Sequence, residues 1–255
     1  WVEKKALLLE RIASSRQAHE RRYGMAFPAV RFIDSSEVGD LEYSVRIHGV
    51  SHGIGMIHPD RLLAIPQRDT VAKIDGLPGV DPAFGIPAIW ILPDQAAEAG
   101  YSGYSAIEPE TVMVTHFVEI VRSEVTGLLT RSVTGDLLEQ LRERQPGLVE
   151  ELIPNIMSVS DVQRILQNLL AERVSIANLD LVIETLVDMG RSIKDPQELT
   201  EQVRRKLGAI ICNGLRGHSA QLSVLSLDPG LENRIIAGAT RPESSALGVD
   251  PRVAD

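Results

Sequence analysis

Three histidines, His48, His52 and His58, lie close together in the chain, and imidazole nitrogens are common zinc ligands. Zinc sites usually place their ligands at i and i+4 on one helix or pair thiolates at short spacing. Here the sequence places His48 on a strand and the other two in a turn rich in glycine and proline, with no cysteine nearby. We interpret all three as solvated strand and loop residues, and keep a metal-dependent hydrolase as an alternative.

Other catalytic patterns are weak. The glycines of residues 53–55 (GIG) and 76–79 (GLPG) are predicted loop glycines, because neither stretch follows the strand-to-helix patterns that cradle a phosphate. No serine lies in a G-x-S-x-G motif, and Cys212 falls on an apolar helical face, which predicts a core residue rather than a nucleophile. His116 follows a threonine on an apolar helix, with Glu119 and Glu124 nearby in the sequence, which is not a sharp catalytic pattern. The residues predict neither an enzyme nor a cofactor.

The charge of the chain argues against nucleic acid as a partner. The formal net charge is −9, which disfavours binding to nucleic acid and to anionic lipid. Predicted helices in residues 158–212 could form a helix-turn-helix module, but acidic and basic side chains are nearly balanced there. The small basic cluster at 204–206 is typical of a solvated helix face. A helix-turn-helix nucleic-acid-binding module is therefore kept only as an alternative.

Composition is that of an ordinary globular protein. Hydrophobic residues make up 44% of the chain, so a sizeable core can form, although aromatic residues supply only 4%. No run approaches the roughly 18 apolar residues that a membrane span needs. A single cysteine excludes an internal disulfide. We expect a cytosolic chain, or a cytosolic piece of a larger protein.

Hydrophobic patterning predicts a first part that mixes helix and strand. Residues 3–22 are rich in helix-forming residues and end at 23–24 (YG), a typical helix stop. Residues 42–48 alternate between apolar and polar side chains, which predicts a half-buried strand. Short apolar runs at 61–65 (RLLAI) and 88–92 (AIWIL) predict two further strands. The first part of the chain is therefore α+β.

From about residue 109 the pattern changes to successive helices. One helix is predicted over 111–129, and a second over 136–144 that ends at 146–147 (PG). Three amphipathic helices follow within 158–212. Their apolar stripes are Val162, Ile165, Leu166, Leu169 and Leu170; Leu179, Val182, Ile183, Leu186 and Val187; and Leu199, Val203, Leu207, Ile210 and Ile211.

Capping residues mark the starts of these helices. Ser160 with Gln163 predicts a capping box for the first of the three. Asp195 predicts the N-cap of the third, with Pro196 at its first position and Glu198 in its first turn. Three well-capped helices with short links predict a compact helical domain.

The pattern returns to α/β near residue 214. Residues 220–227 (AQLSVLSL) predict a strand, and 228–239 (DPGLENRIIAGA) predict a capped helix. A lone strand and helix bury little apolar surface, so we expect this last domain to be cut short by the end of the chain.

The stretch VDPAFGIPAIWI at 80–91 is unusual because it places an acid and a phenylalanine between two prolines. Pro82 and Pro87 bias the residues before them away from helix. Asp81 and Phe84 therefore lie on an irregular lead-in to the strand at 88–92. Phe84 could plug the local core, or it could form part of a recognition surface.

Seven segments along the chain together form a distinctive pattern. They are DPAFGIPAIWI (81–91), ETVMVTH (110–116), LVEELIP (148–154), VQRILQNLLAERVSI (162–176), IETL (183–186), DPQELTEQVRRKLGAII (195–211) and LSLDPGLE (225–232). In order and spacing, over essentially the whole chain, they resemble the type III secretion export-gate proteins of the FlhA/SctV family. The segment DPAFG resembles the flagellar branch more than the virulence-injectisome branch.

The resemblance implies an α+β, multi-subdomain architecture. It predicts a first α+β subdomain at 1–60 and 109–128 with a small α/β insertion at 61–108. A helical subdomain at 129–208 and the start of a truncated α/β subdomain at 209–255 follow. We also expect hinge motion at the Gly/Pro-rich joins near 66–87.

The resemblance further implies a docking platform rather than an enzyme. Such a platform would be the cytoplasmic domain of a bacterial inner-membrane protein, forming a ninefold ring. It would receive export chaperone–substrate complexes and pass substrates to the membrane channel. Components of the export ATPase complex and other export-gate proteins would be further partners. The same role in a virulence injectisome is the alternative, and no cofactor or metal is implied.

In the flagellar branch an exposed apolar dimple between the first two subdomains receives the chaperones. The matching positions, called the dimple residues below, are Asp81, Phe84, Ile107, Val112 and Thr115. A small apolar pocket with an acidic rim can anchor one side chain of a partner helix. The alternative is that Phe84 and Val112 only pack the seam between subdomains.

Overall fold

Helices and a small amount of sheet make up the described part of the protein, which in this computed structural model comprises residues 5–68, 70, 73–217, 219 and 221–239. The predicted α+β class is confirmed. The helices are α1 (Lys5–Tyr23), α2 (Ala96–Tyr101), α3 (Pro109–Ser123), α4 (Val125–Leu128), α5 (Arg131–Arg144), α6 (Pro146–Leu152), α7 (Val159–Ala171), α8 (Leu179–Met189), α9 (Pro196–Lys206), α10 (Gly208–Arg216) and α11 (Pro229–Ala239). The strands are β1 (Glu42–Ile47), β2 (Val50–Met56), β3 (Leu62–Pro66), β4 (Leu77–Val80), β5 (Pro87–Ile91) and β6 (Tyr104–Ile107). The chain divides after Leu207 into two units, Trp1–Leu207 and Gly208–Asp255.

Strands β1 and β2 form an antiparallel hairpin. His48 and Gly49 both have positive φ (51° and 82°), so a tight two-residue turn joins the strands. The predicted strand at 42–48 is confirmed except that His48 lies in this turn. The reading of Gly53–Gly55 as a loop is wrong, because these residues lie inside β2.

The remaining strands form an antiparallel sheet in the order β4-β5-β3-β6. Its β3 and β5 confirm two predicted strands, but the reading of residues 76–79 as a loop is wrong for Leu77–Gly79. These residues form edge strand β4, because Gly79 leaves room for the Trp90 ring of β5, 2.7 Å from a would-be Cβ. One sheet face packs in a core of Tyr43, Ile57, Leu63, Ala88, Trp90 and Val112, which also holds the hairpin and α3.

The predicted helix at 111–129 is broken at Glu124 into α3 and α4. The predicted end of the second helix is confirmed, because α5 ends at Arg144, although α5 begins earlier than predicted, at Arg131. Pro146 then begins α6. The capping box of α7 lies two residues earlier than predicted, at Ser158 and Asp161. Gln163 instead donates a hydrogen bond from its Nε2 to the carbonyl of Leu129 at 2.9 Å. The predicted Asp195 cap of α9 is confirmed.

The apolar stripes of α7 and α8 are buried as predicted, with Val187 at the half-buried margin. The stripe of α9 is shorter, because the helix ends at Lys206 and Ile210 and Ile211 belong to α10. The prediction that Cys212 is a core residue is wrong, since it is exposed on α10.

The second unit contains α10, an irregular segment and α11. The predicted strand at 220–227 is wrong for 221–227, where no strand forms and Leu225 is fully exposed; residue 220 lies outside the described residues. The predicted capped helix is confirmed as α11, and the Asp228 carboxylate accepts the N–H groups of Gly230 and Leu231.

Candidate functional site

The turn between β4 and β5 holds Asp81 and Phe84 in a fixed backbone arrangement. The Asp81 N–H donates to the Ile86 carbonyl at 2.9 Å, and the Asp81 carbonyl accepts the Gly85 N–H at 2.8 Å. Gly85 has φ of 68°, a conformation that glycine adopts without strain. The Asp81 carboxylate also accepts the Ala83 N–H at 3.3 Å. Because both ends of the turn are hydrogen-bonded, the position of the Phe84 backbone is set by the fold.

Phe84 itself points into solvent from this turn. Its exposed fraction is 59%, while Asp81 at its side is only 3% exposed. Val80 at the end of β4 and Ile86 before β5 are exposed as well. Local core packing therefore does not explain Phe84, and the turn presents an apolar patch.

The other three dimple residues lie on β6 and α3. Ile107 pairs with Leu63 across the sheet and is half-buried against the core. Val112 is a full member of that core and is 2% exposed. Thr115, one turn further along α3, is half-buried. The five predicted residues thus comprise exposed Phe84, Ile107 and Val112 in or against the core, half-buried Thr115 on α3, and buried Asp81.

A buried polar pair next to this group was not predicted. The hydroxyl of Tyr43 on β1 lies 2.8 Å from Nδ1 of His116 on α3, and both residues are buried. Burial raises the pKa of the Tyr43 hydroxyl, and the negative charge of Asp81 raises it further. Burial lowers the pKa of His116, and the Asp81 charge opposes that shift in part. Tyr43 therefore stays protonated and His116 is favoured in its neutral form.

The glycines of β2 make room for this pair. A Cβ on Gly55 would lie 2.5 Å from the Tyr43 hydroxyl oxygen, and one on Gly53 would lie 2.9 Å from Nε2 of His116. Once β2 is known to be a strand, the alternation of Gly53 and Gly55 marks a strand face that a bulky group approaches.

The three histidines considered as metal ligands lie in different surroundings. His48 lies in the hairpin turn, His52 on β2 has its Nδ1 3.2 Å from the Glu124 carboxylate, and the His58 ring packs against Trp90. Among the residues that the structure describes, no group of three or more His, Cys, Asp or Glu side chains is arranged to hold a metal ion.

The basic cluster considered as a DNA contact is largely engaged in ion pairs. Arg204 pairs with Glu172 at 2.5 Å and with Glu201, and Arg205 pairs with Glu201 at 3.1 Å. Acidic partners thus compensate these cations within the helical region.

Comparison with known proteins identifies the family. Residues 2–255 match the FHIPEP family over nearly the whole chain. This chain belongs to the FHIPEP family. The flagellar biosynthesis protein FlhA of Yersinia enterocolitica is 34% identical over 97% of the chain, and that of Bacillus subtilis is 33% identical over 97%. The predicted resemblance to the FlhA/SctV family is confirmed. The chain covers only 35% and 37% of these two relatives, so it corresponds to about a third of their length.

Solved structures agree with this FHIPEP-family fold. The Chlamydia pneumoniae CdsV protein is 24% identical with a TM-score of 0.79, and the match covers 96% of this chain and 72% of that one. The nonameric EscV cytosolic domain from the type III secretion system has a TM-score of 0.68 at 18% identity, over 97% of this chain and 73% of that one. None of the helices in the described part is long and apolar enough to cross a membrane.

Proposed function

We propose that this FHIPEP-family chain is a docking platform of a flagellar protein export gate, which binds chaperone–substrate complexes and passes substrates to the membrane channel. The proposal depends on one observation: Phe84 is 59% exposed on a turn whose backbone is fixed by hydrogen bonds. A large aromatic side chain held in solvent on a rigid turn loses little conformational freedom when a partner covers it.

The dimple residues would contribute unequally to the binding of a partner. Phe84 would supply the contact that inserts between apolar side chains of a partner helix, with Val80 and Ile86 widening the apolar patch. Complete burial of one such side chain by a partner would contribute about 1.5–3 kcal/mol to the free energy of binding. Thr115 and Ile107 would form the rim on α3 and β6. Val112 would act from below as core packing, because its side chain is buried.

Asp81 would act mainly by holding the turn. Its backbone groups close the turn and its carboxylate accepts the Ala83 N–H, so little of the side chain faces solvent. We propose that its negative charge also favours a partner with a basic residue beside the apolar anchor.

Assembly and location are part of the same proposal. We infer a ninefold ring beneath the membrane channel, in contact with other gate proteins and with components of the export ATPase complex. The fold shared with the nonameric EscV domain supports the ring, and the match to two FlhA proteins supports the flagellar branch. The platform would bind and hand over substrates without catalysing a reaction itself.

The test is a binding assay with purified flagellar export chaperones, each in complex with its late substrate. The double variant Phe84→Ala with Thr115→Met is expected to lose binding while keeping the thermal unfolding transition within a few degrees of the parent chain. A matched control is Tyr101→Ala, which removes another exposed aromatic ring, 90% exposed at the end of α2, outside the dimple residues. Undiminished binding by the double variant would refute the site.

A further inference from the structure

The β1–β2 hairpin is held on α3 by a contact that contains one polar pair. A two-stranded sheet is marginal by itself and needs packing against another element. Here Tyr43 of the hairpin faces α3, where His116 lies one turn before the buried Ile120. Tyr43 and His116 are 8% and 7% exposed, so water does not readily replace their hydrogen bond.

The direction of the hydrogen bond between Tyr43 and His116 depends on the tautomer of the imidazole. We assign the neutral tautomer with its proton on Nε2, in which the protonated Tyr43 hydroxyl donates to Nδ1 of His116 at 2.8 Å. The rings meet edge to face, with centroids 5.7 Å apart. A proton on Nδ1 would turn the acceptor into a donor and would bring a positive charge into the buried contact between the hairpin and α3.

The contact between the β1–β2 hairpin and α3 leaves little free space around His116. A Cβ on Gly53 would come within 2.5 Å of Ile120 Cδ1 as well as 2.9 Å of His116 Nε2, so the backbone of β2 lies directly against the imidazole. A protonated His116 cannot draw closer to water without moving the hairpin.

One charged group acts on His116 from outside the hairpin. The Asp81 carboxylate, in the turn after β4, favours the imidazolium and partly offsets the cost of burial, which remains the larger effect on the pKa of His116. A second acidic residue, Glu110, is buried near the start of α3, six residues before His116. The remaining titratable and charged groups on the elements packed here are at least partly exposed or engaged elsewhere. They are Glu42 and Arg46 on β1 (Arg46 paired with Glu37), His52 on β2 (paired with Glu124), His58 (against Trp90), and Glu119 with Arg122 on α3.

We propose that the Tyr43–His116 pair is an acid-sensitive latch, which holds the β1–β2 hairpin on α3 at neutral pH and releases it on acidification. This device goes beyond the proposed docking function and does not depend on it, since its readouts are internal to the chain. His52 on β2 also contacts a residue beyond the hairpin, Glu124, but that pair is partly exposed and therefore weak.

The sign follows from proton linkage. Since the pKa of His116 is lower in the closed form than the ordinary value of about 6.5, the open hairpin binds the proton more readily. The latch is fully closed above about pH 6.5 and weakens as the pH falls toward the lower pKa of the closed form. At pH 5.5 the open-to-closed ratio rises by at most about tenfold, because an ordinary imidazole titrates one unit above that pH.

Amide hydrogen exchange of residues 42–56 at pH 7.5 and 5.5 tests the latch directly. After correction for intrinsic exchange, we expect hairpin protection factors to fall several-fold at pH 5.5 in the parent chain. His116→Asn, which keeps an acceptor oxygen for Tyr43 but cannot be protonated, should remove this pH dependence. His52→Asn is the matched control and should keep it. Equal pH dependence in the parent chain and His116→Asn, or none in the parent chain, would overturn the latch.

Ring NMR titration of His116 gives a second test that does not need His116→Asn to fold. Tyr43→Phe removes the donor that stabilises neutral imidazole, so the pKa of His116 should rise. Asp81→Asn removes the charge that favours imidazolium, so the pKa of His116 should fall. Shifts of the same sign in both variants, or none in either, would contradict the assigned roles.

Discussion

The apolar stripe of α7 and the β4–β5 turn differ in how far their apolar side chains are exposed. In α7, all five residues of the predicted stripe are buried and none is more than 1% exposed. In the turn, Phe84 is 59% exposed although backbone hydrogen bonds close the turn on both sides of it. The apolar stripe of α7 is accounted for by the core of this chain, whereas exposed Phe84 is not. The difference separates residues that stabilise the protein from residues that remain available to a partner.

The largest effect is expected from the helical side of this comparison. Leu166→Ala deletes a fully buried side chain of α7 and should lower the free energy of unfolding by about 2–5 kcal/mol, because a cavity replaces packed atoms. Urea denaturation of the two chains measures this difference. A loss below about 1 kcal/mol would mean that the helical core is loosely packed, and the contrast with the turn would fail.

A second strong effect is expected where α1 approaches the loop between α7 and α8. Gly24 has φ of 85°, and a Cβ there would lie 2.2 Å from the backbone nitrogen of Ala177. Gly24→Ala should therefore cost about 3 kcal/mol, from the left-handed conformation and the backbone clash together.

The control for Gly24→Ala is Gly135→Ala inside α5. A Cβ at Gly135 meets nothing within 4 Å, so this change should be neutral or stabilise the chain by up to about 1 kcal/mol. Thermal unfolding of both variants decides the point, and equal effects of the two changes would contradict the close approach at Gly24.

A moderate effect should distinguish the predicted from the observed cap of α7. Ser158 accepts the Asp161 N–H, so Ser158→Ala should destabilise the chain by about 1 kcal/mol. Ser160→Ala, at the position that the sequence pattern favoured, should change stability by less than about 0.5 kcal/mol. If chemical denaturation ranks the two variants the other way round, the cap has been misplaced.

The smallest effect on stability is expected at the turn. Phe84→Ala removes an exposed ring that makes no core contact on which the fold depends, so the free energy of unfolding should change by no more than about 0.5 kcal/mol. A loss of about 2 kcal/mol or more by calorimetry would return Phe84 to the class of core residues.

Helices were predicted well because their signal is local. The period of 3.6 fixed the stripes of α7 and α8, and the Asp195–Pro196 pair fixed the start of α9. The break at Glu124 and the cap at Ser158 were missed, since neighbouring residues offered equally good alternatives for a helix end.

Strands rich in glycine were missed because their signal is not local. Glycine usually weakens a strand, yet Gly53, Gly55 and Gly79 lie in strands where a bulky ring from another element needs the space. The Tyr43–His116 pair was missed for the same reason: its members are far apart in the chain and meet only in the folded protein. Phe84 could be singled out from the sequence, but its exposure could not.

The most direct test of the docking account is the affinity of purified flagellar chaperone–substrate complexes for the parent chain and for Phe84→Ala, measured by titration calorimetry at pH 7.5. We predict a loss of at least about tenfold in affinity for Phe84→Ala, which corresponds to about 1.4 kcal/mol, with an unchanged free energy of unfolding. Equal affinities for the parent chain and Phe84→Ala would contradict the central claim that this exposed ring anchors the partner.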